Sequence, residues 1–265
     1  MIDSLHRVLW AGLLGLLPAA AAIAGNDDCS ARSSNHTVAL LELFTSEGCS
    51  SCPPAERWLS SLGDSRTTIG KVVPLSLHVD YWDYIGWKDQ FAQPGFGVRQ
   101  HQMAQRSGMS AVYTPQFFIQ GRSYRPPSSL SAFNDDLDAI YSRQPRADLA
   151  LTLGSANGGK LPVKVTAGVR EGTTDEPVQL VVVLYENALS RRVTAGENAG
   201  ATLRHDFVVR EWIGPRLLPP TGHIEETAVF ALPPDSPAVD FGVVAFVQQA
   251  RSQEVLQALS RHVCR

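Results

Sequence analysis

Two cysteines separated by two residues, between an apolar run and an amphipathic segment, constrain this chain more than any other feature. Residues 38–44 are apolar except for Glu42, which is the pattern of a strand buried on both faces. Cys49 and Cys52 follow this run and precede a segment that we expect to form a helix ending at Gly63. The apolar residues on one face of that helix are Ala55, Trp58, Leu59 and Leu62. The sequence therefore predicts a strand, a loop with a dithiol, and a helix.

A dithiol at the beginning of a helix has a chemical use. The free N–H groups of a helix N-terminus and their partial positive charge favour a thiolate, which is the nucleophile of disulfide exchange. The same C-x-x-C spacing occurs in zinc sites, but those sites need further ligands. The chain has no second C-x-x-C and no H-x-x-x-H. We therefore predict that Cys49 and Cys52 form a redox-active disulfide.

Residues 1–24 have the pattern of a secretory signal peptide. Arg7 closes a short basic region, an apolar segment follows, and Ala-Ile-Ala at 22–24 fits the small-residue cleavage pattern. A membrane anchor is the alternative, but the apolar run is short for a spanning helix. We expect cleavage after Ala24 and a secreted, periplasmic protein with no membrane attachment after cleavage.

Two further cysteines lie near the two ends of the predicted mature chain. Disulfides persist in an exported protein, and neither cysteine has another thiol close in sequence. A structural Cys29–Cys264 disulfide is therefore the simplest pairing. The chain-entropy model gives a bond closing so long a loop at most about 4–5 kcal/mol. The alternative is that Cys264 is a third redox partner of the central pair.

The composition is that of a globular protein, with 44% hydrophobic residues, 18% charged residues and a net charge of −3. The absence of a basic excess argues against nucleic acid as a partner. The length predicts two structural units. Residues 36–146 alternate strand and helix patterns, which favours an α/β unit with parallel pairing. Residues 147–265 contain six short β-rich runs between turn residues, which favours an antiparallel sandwich.

The order of these motifs resembles a known superfamily. Cys49-Ser-Ser-Cys52 after a buried strand, with Thr114-Pro115 before a later strand, resembles the thioredoxin superfamily. The longer phrases that narrow the resemblance are Glu42-Leu-Phe-Thr-Ser-Glu-Gly-Cys-Ser-Ser-Cys-Pro-Pro, His78-Val-Asp-Tyr-Trp-Asp-Tyr-Ile-Gly-Trp-Lys-Asp, Val112-Tyr-Thr-Pro-Gln, Gly196-Glu-Asn-Ala-Gly200 and Val208-Val-Arg210. Together they are similar to a family of exported bacterial thioredoxin-like proteins of unknown function. The resemblance implies an α/β thioredoxin-like domain at 36–146, followed by an all-β sandwich domain at 147–265.

The resemblance also implies roles for single residues. In the superfamily the proline is cis and lies against the dithiol, where it holds substrate backbone, so Pro115 belongs to the expected site. Cys49 is the expected attacking thiol and Cys52 the resolving thiol. A buried carboxylate beneath the dithiol takes the proton of the resolving cysteine, and Glu42 lies at about that position, as a candidate general base. The alternative is that Glu42 lies near a sheet edge or pairs with Arg or Lys.

An aromatic and acidic stretch, residues 80–87, follows the second predicted strand. Ligands of open α/β sheets gather at the carboxyl ends of strands, where the dithiol also belongs. The substrate-binding candidates are Asp80 and Trp82 of this stretch, together with Tyr113 and Thr114 beside Pro115. The alternative is that the aromatic side chains only pack, which we favour for Trp87. Residues 196–200 either form an ordinary sandwich turn, which we favour, or reach the site as a loop.

The prolines after the dithiol change its expected redox properties. Pro53 and Pro54 are tolerated in the first turn of a helix, but neither has an N–H. Two donors that would face a Cys49 thiolate are therefore missing, and the Ser50 and Ser51 hydroxyls restore only part of that stabilisation. A less stabilised thiolate means a less stabilised reduced form, so we expect an intermediate to reducing potential.

The sequence thus predicts an exported thiol–disulfide oxidoreductase, without a cofactor, that acts on protein substrates and exchanges electrons with a redox partner. The direction of electron flow stays open. One alternative is a Cu(I) or zinc carrier that uses Cys49, Cys52 and His78, since thiolates and imidazole suit both metals. A histidine on an apolar strand is, however, more often an interior residue. The other alternative is a non-catalytic binding module in which the Cys49–Cys52 bond is structural.

Overall fold

The computed structural model describes residues 29–172 and 174–264, so the predicted signal peptide at 1–24 lies outside the described residues. Fourteen strands and three α-helices occur in these ranges. The strands are β1 (Ser30–Arg32), β2 (Ala39–Thr45), β3 (Val72–His78), β4 (Gln116–Ile119), β5 (Arg122–Tyr124), β6 (Ala147–Leu153), β7 (Lys160–Val169), β8 (Val178–Glu186), β9 (Leu189–Arg192), β10 (Thr202–His205), β11 (Val208–Leu217), β12 (His223–Ala231), β13 (Phe241–Gln249) and β14 (Val255–His262). The helices are α1 (Cys52–Asp64), α2 (Pro94–Arg106) and α3 (Leu130–Tyr141), with 3-10 helices at Asp80–Ile85 and Ala238–Asp240.

One large sheet runs through the molecule. Its eight strands lie in the order β14-β13-β8-β11-β3-β2-β4-β5, beside a four-stranded sheet β1-β6-β7-β12 and a β9–β10 ribbon. Strands β2 and β3 are parallel, and β4 is antiparallel to β2. Strand β11 pairs in parallel with β3 through Val208 and Ser76, and the Ser76 N–H donates to the Phe207 carbonyl at 2.8 Å. The first and second halves of the sequence therefore share one sheet.

This sheet contradicts the predicted fold class. An α/β thioredoxin-like domain followed by an all-β sandwich is wrong, because the described part of the chain is mostly β, with 41% strand and 20% helix. No separate α/β domain is evident, since β3 pairs with β2 on one side and with β11 on the other, and β11 is followed in the same sheet by β8 and β13. The residue boundaries of the two predicted units stay predictions.

The burial pattern of the central strands explains the error. Every residue of β13, and all of β8 except Gln179, is buried, so both faces of these strands are covered. Val181 and Val183 of β8 face the core that contains the helices, whereas Val182 and Leu184 face the core of the four-stranded sheet. A strand of a two-layer sandwich would instead alternate buried and exposed residues.

Aromatic packing fixes two of the helices on the sheet. The Trp58 ring of α1 contacts Phe117 of β4 and Phe133 of α3, with centroids 5.2 and 5.0 Å apart.

The predicted strand before the cysteines and the predicted helix after them coincide with β2 and α1 to within about a residue. Among the described residues, none of the helices has the length and apolarity needed to cross a membrane.

Candidate functional site

The two central cysteines lie at the beginning of α1 and are joined by a disulfide. Ser51 is the N-cap of the helix, and prolines occupy its first turn. The Cys49 N–H donates to the Ser46 carbonyl, and the Cys52 N–H donates to the Cys49 carbonyl, both at 3.1 Å. The Cys49 Sγ lies 3.3 Å from the Ser51 Oγ. The disulfide therefore lies at the strand-to-helix junction to which the sequence assigns it.

A second segment of the predicted site lies against this turn. The Thr114–Pro115 peptide is cis, and the Ser51 hydroxyl is 3.5 Å from the Thr114 carbonyl. The Trp82 Nε1–H donates to the Thr114 Oγ1 at 2.8 Å. The structure thus brings Thr114, Pro115 and Trp82 to the side of the dithiol.

The other two substrate-binding candidates have different surroundings. Tyr113 has an exposed side chain, and its carbonyl accepts from the Gln100 Nε2 of α2 at 2.8 Å. Asp80 opens the 3-10 helix and lies beside Gly97 of α2. Tyr113 is therefore accessible next to Thr114, whereas Asp80 faces a neighbouring helix.

A loop from the second half of the chain binds the backbone around the disulfide. The Asn198 Nδ2 donates to the Glu47 carbonyl at 2.8 Å and to the Cys49 carbonyl at 3.0 Å. The Glu197 carboxylate accepts from the Ser50 N–H at 2.9 Å. Under this loop Cys49 is 1% exposed. The interpretation of residues 196–200 as an ordinary sandwich turn is thus wrong, and the alternative of a loop that reaches the site is what the structure shows.

Glu42 is held by an arginine. Its two carboxylate oxygens accept from the Arg99 Nε at 2.6 Å and Nη2 at 2.9 Å, and both side chains are buried. Gln248 of β13 accepts from the same guanidinium at 3.3 Å. The structure thus shows the alternative in which Glu42 pairs with Arg or Lys. The assignment of Glu42 as a general base is corrected, because a bidentate arginine occupies both of its oxygens.

Arg99 borders a cavity of about 460 Å³ between α2 and the sheet. Its walls include Phe96, Trp212 and Gln253, and the Arg99 guanidinium lies 4.9 Å from the Trp212 ring centroid. None of the residues at the dithiol lines this cavity. It is therefore separate from the candidate site.

A buried group of charged side chains surrounds the loop and the first turn of α1. His205, at the end of β10, contacts Glu56 through Nδ1 at 2.7 Å and Glu47 through Nε2 at 3.3 Å. The Thr45 hydroxyl donates to the Glu56 Oε1 at 2.6 Å. Glu47 lies two residues before Cys49, and Glu56 lies one helical turn after Cys52. The charged group thus flanks the dithiol in sequence on both sides.

The outer side of Glu47 is closed by two further side chains. The Trp87 Nε1–H donates to the Glu47 Oε2 at 2.8 Å, and the Arg191 Nε lies 3.4 Å from the same oxygen. The Arg191 guanidinium lies over the Trp87 ring, 5.1 Å from its centroid. Trp87 therefore packs, as the sequence favoured, and also binds a buried carboxylate.

His78 belongs to the same buried group. Its Nδ1 lies 2.7 Å from the Asp89 Oδ2, which also accepts from the Glu47 N–H at 2.9 Å. Its ring meets the His205 ring edge-on at a centroid distance of 5.1 Å. One group of potential metal ligands occurs among the described residues, and it consists of Glu56, His78 and His205. The carrier alternative with Cys49, Cys52 and His78 does not match this set.

The pKa values in this buried group are set by its hydrogen bonds and ion pairs. Burial by itself lowers the pKa of His205, but hydrogen bonds to Glu47 and Glu56 and their charges raise it to about 10. Burial by itself raises the pKa of Glu56, but the hydrogen bond and charge of His205 outweigh burial and hold it below its ordinary value. The protonated His205 ring thus directs one N–H toward each of the two carboxylates at neutral pH.

Sequence reasoning missed most of this group. Glu47 and Glu56 stand within or beside the quoted dithiol phrase, and Asp89 closes the phrase that begins at His78. His205 had no signal, because it lies far along the chain in a short strand. The β9–β10 ribbon and the parallel β11–β3 pair bring it to the site.

The remaining cysteines form the pair that was predicted as structural. Cys29 and Cys264 are joined, with Cα atoms 5.6 Å apart. The Cys264 N–H lies 3.2 Å from the Cys29 Sγ. The bond joins the beginning of the described chain to the segment after β14, so Cys264 is not placed to serve the central dithiol.

Comparisons with known proteins give the family. The chain belongs to the family described as "Protein of unknown function (DUF1223)", whose profile matches residues 40–248. No curated protein matches the chain. Among solved structures, it is similar to a structural-genomics target protein from Agrobacterium tumefaciens, with 23% identity, a TM-score of 0.59 and coverage of 86% of this chain and 96% of that chain. It is also similar to HBP35 of Porphyromonas gingivalis, with 17% identity, a TM-score of 0.67 and coverage of 87% and 76%. At these identities the two structures show a shared fold.

Proposed function

We propose that this DUF1223 protein is a thiol–disulfide oxidoreductase that exchanges electrons with protein substrates through Cys49 and Cys52. The observation that carries the proposal is the Cys49–Cys52 disulfide at the N-terminal end of α1, under a loop attached through the side chains of Asn198 and Glu197. We expect displacement of this loop to make Cys49, now 1% exposed, accessible to a partner thiol. The pattern of residues 1–24 supports export to the periplasm as part of the proposal.

The proposed reaction proceeds through a mixed disulfide. In the oxidising direction, a substrate thiolate attacks the Cys49 Sγ, a substrate–Cys49 bond forms, and Cys52 leaves as a thiolate. A second substrate thiolate then attacks the substrate sulfur, so that the substrate disulfide forms and Cys49 leaves as a thiolate. Two electrons have then passed from the substrate to the pair. The reducing direction is the same sequence reversed, and a redox partner restores the starting state.

A kinship with the thioredoxin superfamily is part of the proposal for the site alone and does not extend to the overall fold. It is supported by the dithiol between β2 and α1 and by Thr114-Pro115 beside Ser51. Glu42 has no role in it, because Arg99 occupies its carboxylate. Exposed Tyr113 and the neighbouring Thr114 are the proposed contacts for substrate.

Trapping of mixed disulfides tests the proposal. A Cys52→Ser variant keeps the attacking thiol and lacks the resolving thiol, so covalent adducts with exported proteins should accumulate and disappear on reduction. A Cys49→Ser/Cys52→Ser variant is the matched control and should form none. Absence of adducts with Cys52→Ser would refute the function. A Cys49–Cys52 bond that dithiothreitol does not reduce in the folded protein would instead support the structural alternative.

A further inference from the structure

We propose that the chain carries a binding site for a divalent first-row transition-metal ion, best matched by Zn²⁺, formed by Glu56, His78 and His205. The three ligand atoms come from α1, β3 and β10 and lie within 4.8 Å of one another. All three side chains are buried. The site is independent of the proposed redox function, since it contains no sulfur ligand.

The strongest sign of a missing ligand is the outer nitrogen of His78. The His78 side chain is fully buried, and its Nε2 has no hydrogen-bond partner among the described residues. Leaving such a group unsatisfied costs about 1–3 kcal/mol, so buried polar atoms of this kind call for an explanation. The Nδ1 of the same ring is bound to Asp89, so the Nε2 is the nitrogen left to serve as a ligand beside Glu56 and His205.

Both histidines also have the outer partners that metal-ligating histidines use. Asp89 holds the His78 Nδ1 at 2.7 Å, and Glu47 lies 3.3 Å from the His205 Nε2. A carboxylate on the far nitrogen of a ligating imidazole orients the ring and makes the near nitrogen a better donor. Each imidazole here therefore has one nitrogen on an outer carboxylate and the other within the proposed ligand set.

The distances suit a small tetrahedral ion after limited adjustment. Ligands about 2.1 Å from such an ion lie roughly 3.4 Å apart. Binding would release the proton that the His205 Nδ1 shares with the Glu56 Oε2, and the ion would take its place. These two atoms, 2.7 Å apart, would separate slightly, whereas the widest pair, at most 4.8 Å apart, would close by about 1.4 Å. Two imidazoles and one carboxylate favour zinc and its first-row neighbours over calcium or magnesium, which prefer oxygen ligands.

Metal binding to the oxidised protein gives a clean test, because the two disulfides remove thiolates as ligands. The mature chain, stripped with EDTA, is equilibrated with Zn²⁺ by dialysis, and it is also refolded in the presence of Zn²⁺ in case the buried site loads only during folding. Bound metal is then counted by mass spectrometry. The expected result is one zinc ion per chain from at least one of the two routes. Co²⁺ in place of Zn²⁺ should show visible d–d absorption without a thiolate-to-cobalt charge-transfer band.

Variants assign the site. His78→Ala should abolish stoichiometric binding, and Asp89→Asn should weaken it by about 10–100-fold through the lost outer partner. His223→Ala, an exposed histidine on β12, is the matched control and should bind as the unaltered chain does. Glu56→Gln gives a second ligand variant if His78→Ala does not fold, as judged by circular dichroism.

Two results would overturn the inference. One is the absence of bound zinc by both loading routes. The other is stoichiometric zinc that persists in folded His78→Ala or Glu56→Gln. Either result leaves the redox proposal standing, because mixed-disulfide trapping depends on Cys49 and requires no metal.

Discussion

Removal of the Asn198 side chain should expose the covered disulfide to reductant. In the structure its amide donates to the carbonyls of Glu47 and Cys49 at 2.8 and 3.0 Å and so holds the 196–200 loop over the dithiol. Cys49 is 1% exposed, so we expect a reductant to reach it only after the loop opens. An Asn198→Ala change deletes both hydrogen bonds and leaves the disulfide itself unaltered.

The size of the effect follows from those two bonds. A hydrogen bond in a folded protein contributes about 0.5–1.5 kcal/mol net, so the closed loop should lose about 1–3 kcal/mol relative to the open loop. If opening precedes reduction, the rate should rise by the same free energy, which is about 5- to 150-fold. The Cys29–Cys264 bond lies away from this loop and should react at an unchanged rate.

The assay is the rate at which dithiothreitol reduces each disulfide, followed by alkylation and peptide mass spectrometry. Cys29–Cys264 serves as the internal reference within each sample. Asn157→Ala, in an exposed turn before β7, serves as the control variant. An unchanged rate at Cys49–Cys52 would show that the loop does not limit access. Equal acceleration of both disulfides would show general destabilisation.

Three further predictions concern stability and potential. Arg99→Ala should destabilise the protein by about 3–5 kcal/mol in urea unfolding, because Glu42 would remain buried without its partner. Burial by itself raises the pKa of Asp89, but the charge of His78 and the hydrogen bonds to the carboxylate outweigh burial and lower it from 3.8 to about 2. The folded-state pKa is thus the lower one, so in the metal-free protein Asp89→Asn should cost about 2 kcal/mol at pH 7. The difference should shrink as the pH falls from about 4 to about 2 and vanish at lower pH. The Cys49–Cys52 pair should be less oxidising than protein disulfide isomerase, with a potential below about −180 mV by equilibration with glutathione or dithiothreitol.

Each of these three predictions has a control or a result that would contradict it. For the arginine, Arg99→Met/Glu42→Leu is the control and should recover most of the loss, because it removes both charges together. A stability difference for Asp89→Asn that is undiminished at pH 2 would show that charge is not its cause. A potential as high as that of the strongly oxidising dithiols would show that the two prolines after Cys52 do not matter as proposed.

Local structure could be predicted because its signals are local. The apolar run before Cys49 has too few polar residues for an exposed strand, and the apolar spacing after Cys52 fits only a helix, so β2 and α1 follow from nearby residues. The long apolar strands of the second half were also found, but their neighbours were not. The sequence of a strand such as β8 indicates that both of its faces are covered, but it does not indicate which elements cover them.

One of the six β-rich runs that the sequence predicts in the second half spans residues 203–209, and it shows a related failure. It appears as one β-rich segment, whereas the structure divides it into β10 and β11 around Phe207, which has φ +58. This break sends β10 back toward β9 and sends β11 alongside β3. His205 reaches the first half only because of that change of direction, which bulky apolar residues such as Phe rarely make.

The second half of the chain therefore completes the candidate site as well as the core. The loop over Cys49 supplies Asn198 and Glu197, and the adjoining ribbon supplies His205, which binds Glu47 and Glu56 on either side of the dithiol. A stabilising module would need only apolar contact with the first half. Buried polar contacts are unfavourable unless each partner is placed accurately, so their concentration around the disulfide indicates that the sheet is built to position this site.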